Sequence, residues 1–126
     1  MISHIDHFVL TVTDITQTIA FYTTTLNMTA ITFGNNRHAL TFGDQKINLH
    51  ECHSSIHPKA KLPTPGSQDF CLITNISIAD MVKKLNEKNI PIINGPVKRT
   101  GAVGELVSIY INDPDGNLIE IANIDG

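Results

Sequence analysis

Apolar and polar residues alternate along residues 5–12, with Phe8, Leu10 and Val12 on one side and His7, Val9 and Thr11 on the other. A period of two is that of a strand whose two faces meet different surroundings, and His7 falls on the more polar face. The period then lengthens. Asp14 offers an N-cap, and Ile15, Ile19, Tyr22 and Leu26 recur at the spacing of one helix face. Three short strands are predicted next, over 30–33, 38–42 and 46–51, separated by Gly34-Asn35-Asn36 and Gly43-Asp44, both turn compositions. In the last of them Lys46, Asn48 and His50 point one way while Ile47 and Leu49 point the other.

Residues 53–67, with Pro58, Pro63, Pro65 and Gly66, fit neither sheet nor helix and form a long connection. The order of elements then returns: a strand over 69–74, a helix over 78–88 with Ile78, Met81, Val82 and Leu85 on one side, and strands over 91–93, 106–111 and 118–122. A tight turn, Asp113-Pro114-Asp115-Gly116, sets up the last strand, in which Glu120 shares a face with Leu118 and Ala122. Asp6-His7-Phe8-Val9-Leu10 matches Gln68-Asp69-Phe70-Cys71-Leu72, and Lys46-Ile47-Asn48-Leu49 matches Leu118-Ile119-Glu120-Ile121. The pattern is an internal duplication of β-α-β-β-β within one domain, 1–126. The first module is 1–55, the linker 56–67 and the second module 68–126.

Composition narrows the function. The chain has 126 residues, 41% hydrophobic and 17% charged, with a net charge of −3 and a pI near 6.0. It lacks the basic runs that accompany nucleic acid or anionic membranes, and the N-terminus lacks the regions of a signal peptide. A cytoplasmic protein with no nucleic-acid partner and no membrane partner is expected. Cys52 and Cys71 form no CxxC pair and are read as free thiols in a reducing compartment.

Three stretches together resemble the vicinal oxygen chelate superfamily, the glyoxalase, bleomycin-resistance and extradiol-dioxygenase group. They are Ile5-Asp6-His7-Phe8-Val9-Leu10-Thr11-Val12 with its Asp14 cap, the helix end at Phe21-Tyr22-Thr23-Thr24-Thr25-Leu26, and Asp113-Pro114-Asp115-Gly116-Asn117-Leu118-Ile119-Glu120. Phe42-Gly43-Asp44-Gln45-Lys46-Ile47-Asn48-Leu49-His50 and Pro96-Val97-Lys98-Arg99-Thr100-Gly101 are similar to the small lactoylglutathione-lyase-like or "virulence protein" branch. The resemblance implies an α+β fold in which two βαβββ modules form a cupped mixed sheet, commonly around a divalent metal and in a homodimer. It places one metal ligand at His7 and another at Glu120. The first strand of the second module offers Asp69 where many metalloenzymes of the group have histidine. The remaining slot aligns with Asn48, a poor ligand, so His50, one pleat further along the same face, is preferred, with Asn48 in support.

Strand parity independently sets His7, His50, Asp69 and Glu120 on the more polar faces of their strands. His4, His38, His53 and His57 gain no such support, and Cys71 is read as a small buried hydrophobe. Ser108 and Tyr110 are expected to touch a ligand. Arg37 and Arg99 are candidates for gripping an anionic substrate, and residues 98–105, with two glycines, are expected to cover the site as a mobile loop.

The resemblance implies a metal-dependent, glyoxalase-I-like lyase or isomerase acting on a small molecule with vicinal oxygens through an enediolate. In it Glu120 is the catalytic base and the cofactor a divalent ion, Ni, Zn, Mn or Fe. The alternatives are a ring-cleaving dioxygenase using the same face and a metal-free drug-binding resistance protein. With five Phe, two Tyr and no Trp, the chain has few stacking surfaces for a large planar drug.

Overall fold

Both periods read from the sequence reappear in the backbone of the computed structural model, which describes residues 1–125. The first module runs β1 (His7–Val12), α1 (Ile15–Thr25), β2 (Thr29–Phe33), β3 (Arg37–Phe42) and β4 (Gln45–Glu51). The second runs β5 (Asp69–Ile73), α2 (Ile78–Glu87), β6 (Asn94–Thr100), β7 (Glu105–Asn112) and β8 (Leu118–Ile124). Each module has one four-stranded mixed sheet, ordered β1-β4-β3-β2 in the first and β5-β8-β7-β6 in the second. The chain divides into two compact units, Met1–Ser67 and one that begins at Gln68. Among the described residues no helix is long and apolar enough to cross a membrane.

In the first unit, Leu10, Val12, Leu40, Ile47 and Leu49 lose essentially all solvent contact together with Tyr22 of α1. The strand alternation that puts them on one sheet face leaves His7, Asn48 and Arg37 on the other. Asp14 caps α1, its Oδ1 accepting from the Gln17 N–H at 3.0 Å. The helix departs from a simple apolar stripe, because Thr18 and Thr25 are buried alongside Tyr22. Thr18 and Thr23 meet the cost of their hydroxyls by donating to the carbonyls of Asp14 and Ile19, four residues back, at 2.9 and 2.7 Å.

The second unit is built alike, with Ile109, Ile111, Ile119 and Ile121 of the sheet buried and Ile78, Met81 and Leu85 of α2 buried too. Asn123 sets the start of α2. Its Oδ1 accepts from the Ile78 N–H at 2.8 Å, and its Nδ2 donates to the carbonyls of Thr74 and Ile76.

One strand was misplaced by the sequence pattern. The expected strand over 91–93 lies just before β6, which runs Asn94–Thr100. Pro96 in its interior argued against a strand, yet β6 is an edge strand, where a missing N–H is tolerated. Pairing to β7 is irregular between Asn94 and Val97. Gly95 sits there at φ +99°, and a Cβ on it would lie 2.4 Å from the Ser108 carbonyl oxygen, so the close approach admits glycine alone.

The turn before β8 is a structural clamp. Asp113 Oδ1 accepts from the N–H groups of Asp115 and Asn117, and Oδ2 from Asn117 Nδ2 at 2.8 Å. Fully buried Asn117 uses its Oδ1 to accept from the Gln68 N–H at 2.9 Å, tying the turn to the start of β5. Asn117→Ala removes a hydrogen bond to the buried Asp113 carboxylate and the acceptor of the Gln68 N–H, each worth about 1–3 kcal/mol. The expected loss is roughly 2–4 kcal/mol in urea unfolding. A change below about 0.5 kcal/mol, the range of ordinary surface substitutions, would contradict the clamp.

Candidate functional site

The parallel pairing of β1 with β4 decides which side chains of the first unit are neighbours. His7 lies opposite Lys46, Val9 opposite Asn48, and Thr11 opposite His50. His7 and His50 are therefore four residues apart along the pair, about 13 Å at the rise of a strand. They share a face, as parity requires, but they are not brought together.

His7 is well prepared as a donor. Its Nδ1 is 2.8 Å from Asp6 Oδ1, which holds the proton on that nitrogen and leaves the Nε2 lone pair outward. The Asp6 carboxyl is held below its usual range, first by this hydrogen bond. His50 is occupied differently. It is buried, with Nε2 3.1 Å from Arg37 Nη2, and since a guanidinium can only donate, His50 is the acceptor. Burial, then the Arg37 charge, lowers its pKa, so the ring is neutral. The lone pair that would meet a metal is spent on Arg37. In the duplicated register the counterpart of Glu120 is Asn48, opposite Val9 as Glu120 is opposite Cys71.

In the second unit Asp69 opens β5 opposite Leu118, one pleat from Glu120 on the same face, and is exposed. Glu120 is half-buried. Its Oε2 accepts from Ser108 Oγ at 2.6 Å, a short charge-assisted bond. Among the described residues no cation lies within ion-pairing distance of it. Ser108, expected to touch a ligand, has no exposed surface and holds the Glu120 carboxylate from β7. Only the directly opposed Ser–Ala and Tyr–Glu register of β7 and β8 reveals that role, which one strand's sequence does not carry.

Tyr110 stands opposite Glu120 on β7, half-buried, and its hydroxyl accepts from Arg99 Nε at 2.9 Å. The Arg99 guanidinium is 5.5 Å from the Tyr110 ring centre and also donates to the Lys98 carbonyl. Arg99 is thus a fixed residue of β6, and the mobile cover expected over 98–105 is instead a hairpin. Its connection is only residues 101–104, closed by the Gly101 N–H on the Gly104 carbonyl at 2.8 Å. The glycines serve that closure: a Cβ on Gly101 would lie 2.7 Å from the Gly104 oxygen.

Cys71 was read as a buried hydrophobe but is exposed, directly opposite Glu120. Loss of solvent around its sulfur, then the Glu120 charge and its hydrogen bond, push the thiol up to about 11. Among the described residues no three His, Cys, Asp or Glu side chains gather as a metal cage. The four expected ligands are met as separate donors, two in each unit.

A family model described as Glyoxalase/Bleomycin resistance protein/Dioxygenase superfamily matches residues 4–121. The chain is 57% identical over 122 residues to virulence protein STM3117 of Salmonella typhimurium, covering 97% of this chain and 85% of that protein. The crystal structure of the Salmonella protein superposes with a TM-score of 0.98, 55% identity and 99% of each chain covered. Glyoxalase domain-containing protein RDO1 of Mycosarcoma maydis is 53% identical over 119 residues, 94% of this chain and 67% of that one. Two structures share the fold alone, each with a TM-score of 0.75. One is a lactoylglutathione lyase from Agrobacterium tumefaciens, 19% identical over 98% of this chain and 95% of that one. The other is TnmS3, an antibiotic binding protein from Streptomyces sp. CB03234, 21% identical over 98% of each chain.

The Cys71–Glu120 pair gives a direct check on the local field. With Cys52→Ser as background, Cys71 should react with iodoacetamide at pH 8 roughly 100-fold more slowly than an unperturbed thiol, because a pKa near 11 leaves little thiolate. Glu120→Gln removes the charge and should move the reaction midpoint down. A midpoint near 9 in the parent, unmoved by Glu120→Gln, would contradict the pairing.

Proposed function

Because the chain belongs to the Glyoxalase/Bleomycin resistance protein/Dioxygenase superfamily, we propose that it is a metal-dependent enzyme that moves a proton next to a carbonyl, as a glyoxalase-I-like lyase or isomerase does. The observation that carries this reading is Glu120, a half-buried carboxylate fixed by Ser108 and lacking a cationic partner among the described residues. A buried charge without a counter-ion is costly, and such a group is retained where a metal, a substrate or a proton needs it.

The donor set suits a borderline divalent ion such as Ni, Zn, Mn or Fe. The candidate donors are His7 in the first unit and Asp69 with Glu120, one pleat apart on one face, in the second. Bound there, the ion would polarise the paired oxygens of a small substrate. The chain's own residues do the rest. Asp6 keeps the His7 proton on Nδ1, so Nε2 is ready without a tautomer change. Ser108 holds Oε2 of Glu120, leaving Oε1 to take the proton from the carbon beside the carbonyl. Tyr110, steadied by Arg99, lies beside Glu120 on the next strand and offers a polar contact to the substrate. A homodimer is the assembly that goes with this reading.

Elemental analysis and calorimetry with Ni(II), Zn(II), Mn(II) and Fe(II) test it. Saturable binding is expected in wild type and weakened in His7→Ala and Glu120→Gln, while His50→Gln retains it. On a substrate drawn from a dicarbonyl and thiol-adduct screen, Glu120→Gln should lower kcat by about 10²–10⁴, the usual share of a general base. Metal binding equal in wild type, His7→Ala and Glu120→Gln would sink the proposal.

A further inference from the structure

On β3 and β4 of the first unit, the sheet face turned away from α1 carries a group of polar atoms that nothing among the described residues satisfies. Arg37 is half-buried, and its Nε is buried with no hydrogen-bond partner. Among the described residues no carboxylate lies within ion-pairing distance of Arg37; its contacts are the neutral His50 ring at 3.1 Å and the face of Phe33, 5.1 Å from the guanidinium carbon. Lys46 stands over the same Phe33 ring, with Nζ 4.3 Å from its centre. Asn48 is only 6% exposed, and its Oδ1 has no partner. The register puts Asn48 opposite Ala39, two residues from Arg37 on the same face, so the orphaned atoms belong to one place.

We propose that this face is a binding site for a small anion, with Arg37 Nε and Nη gripping a carboxylate or phosphoryl group and Asn48 meeting a hydroxyl beside it. The chemistry follows from the inventory. A guanidinium has five donors arranged to match two oxygens of one anion, and only one of its bonds here is to a ring nitrogen. The buried Arg37 Nε–H has no acceptor among the described residues, and an incoming anion supplies one. His50 contributes by accepting from Arg37 Nη2, which fixes the guanidinium and leaves its other donors for a ligand. Phe33 carries both cations over its ring, so Lys46 adds a second positive charge beside Arg37. Asn48 Oδ1 asks for a donor, which an α-hydroxy acid or a hydroxylated phosphate supplies and a bare anion does not.

This site does not depend on a metal, so it stands or falls apart from the reading of Glu120. The test is an NMR titration of the full chain, as purified and again after passage over chelating resin, at constant ionic strength. Sodium lactate, sodium acetate and inorganic phosphate are the probes, against sodium chloride. Saturable shifts are expected at Arg37 Nε–H and the Asn48 side-chain amide, with lactate binding more tightly than acetate because of its hydroxyl; the ranking of phosphate distinguishes a phosphoryl from a carboxylate ligand. Arg37→Gln should weaken binding about tenfold or more, the worth of a charge-assisted pair. Arg37→Lys, which keeps the charge and loses the fork, should weaken it as well. Because the wild-type titration stands by itself, a misfolded variant does not blunt it. Shifts no larger than those from chloride, or saturable shifts that leave Arg37 and Asn48 unmoved, would overturn the site.

Discussion

Everything functional in this chain depends on the parallel pairing of the first and last strands of each module. Once β1 is bonded to β4 and β5 to β8, strand parity commits every side chain on those four strands to one of two faces. One face is filled by leucine, isoleucine and valine and closes over a helix. The other collects His7, Asn48 and His50 in the first unit and Asp69, Cys71 and Glu120 in the second. In the second unit the pairing is anchored by Asn117, whose amide joins the turn at Asp113 to the entry of β5. The turn is thus a register device, which explains why so polar a sequence is buried.

The duplicated frame has been given different chemistry in its two copies. The slot that holds a carboxylate in the second module holds an amide in the first, and the slot beside it changes from Cys71 to Val9. Around Glu120 the polar atoms form a short chain from Ser108, while Arg99 secures Tyr110 one strand away. Around Asn48 the character is reversed, with Arg37 and Lys46 on the face and, among the described residues, no carboxylate within ion-pairing distance of either.

Much of the fold was legible because amphipathic periods are strong in the strands and in α2. Helix α1 was legible from its cap and spacing, although its buried face uses threonines whose hydroxyls bond back to the helix. What escaped was non-local. Strand β6 hides behind Pro96, acceptable only at an edge that the sequence does not announce. The bond from Ser108 to Glu120 joins two strands by register, and the claim of Arg37 on His50 crosses from β3 to β4. Parity gives the faces; which side chains on a face touch is decided by pairing, and pairing sets His50 against Arg37 and Ser108 against Glu120.

The central claim is that Glu120, held by Ser108, is the working carboxylate of a metal site from which His50 is excluded by Arg37. Anomalous diffraction from crystals grown with Ni(II) addresses it directly. The account predicts a metal peak within bonding distance of the Glu120 carboxylate, with Ser108 still on Oε2 and the Arg37–His50 contact intact. A peak on His50 with Arg37 displaced, or no peak near Glu120 at saturating metal, would contradict it.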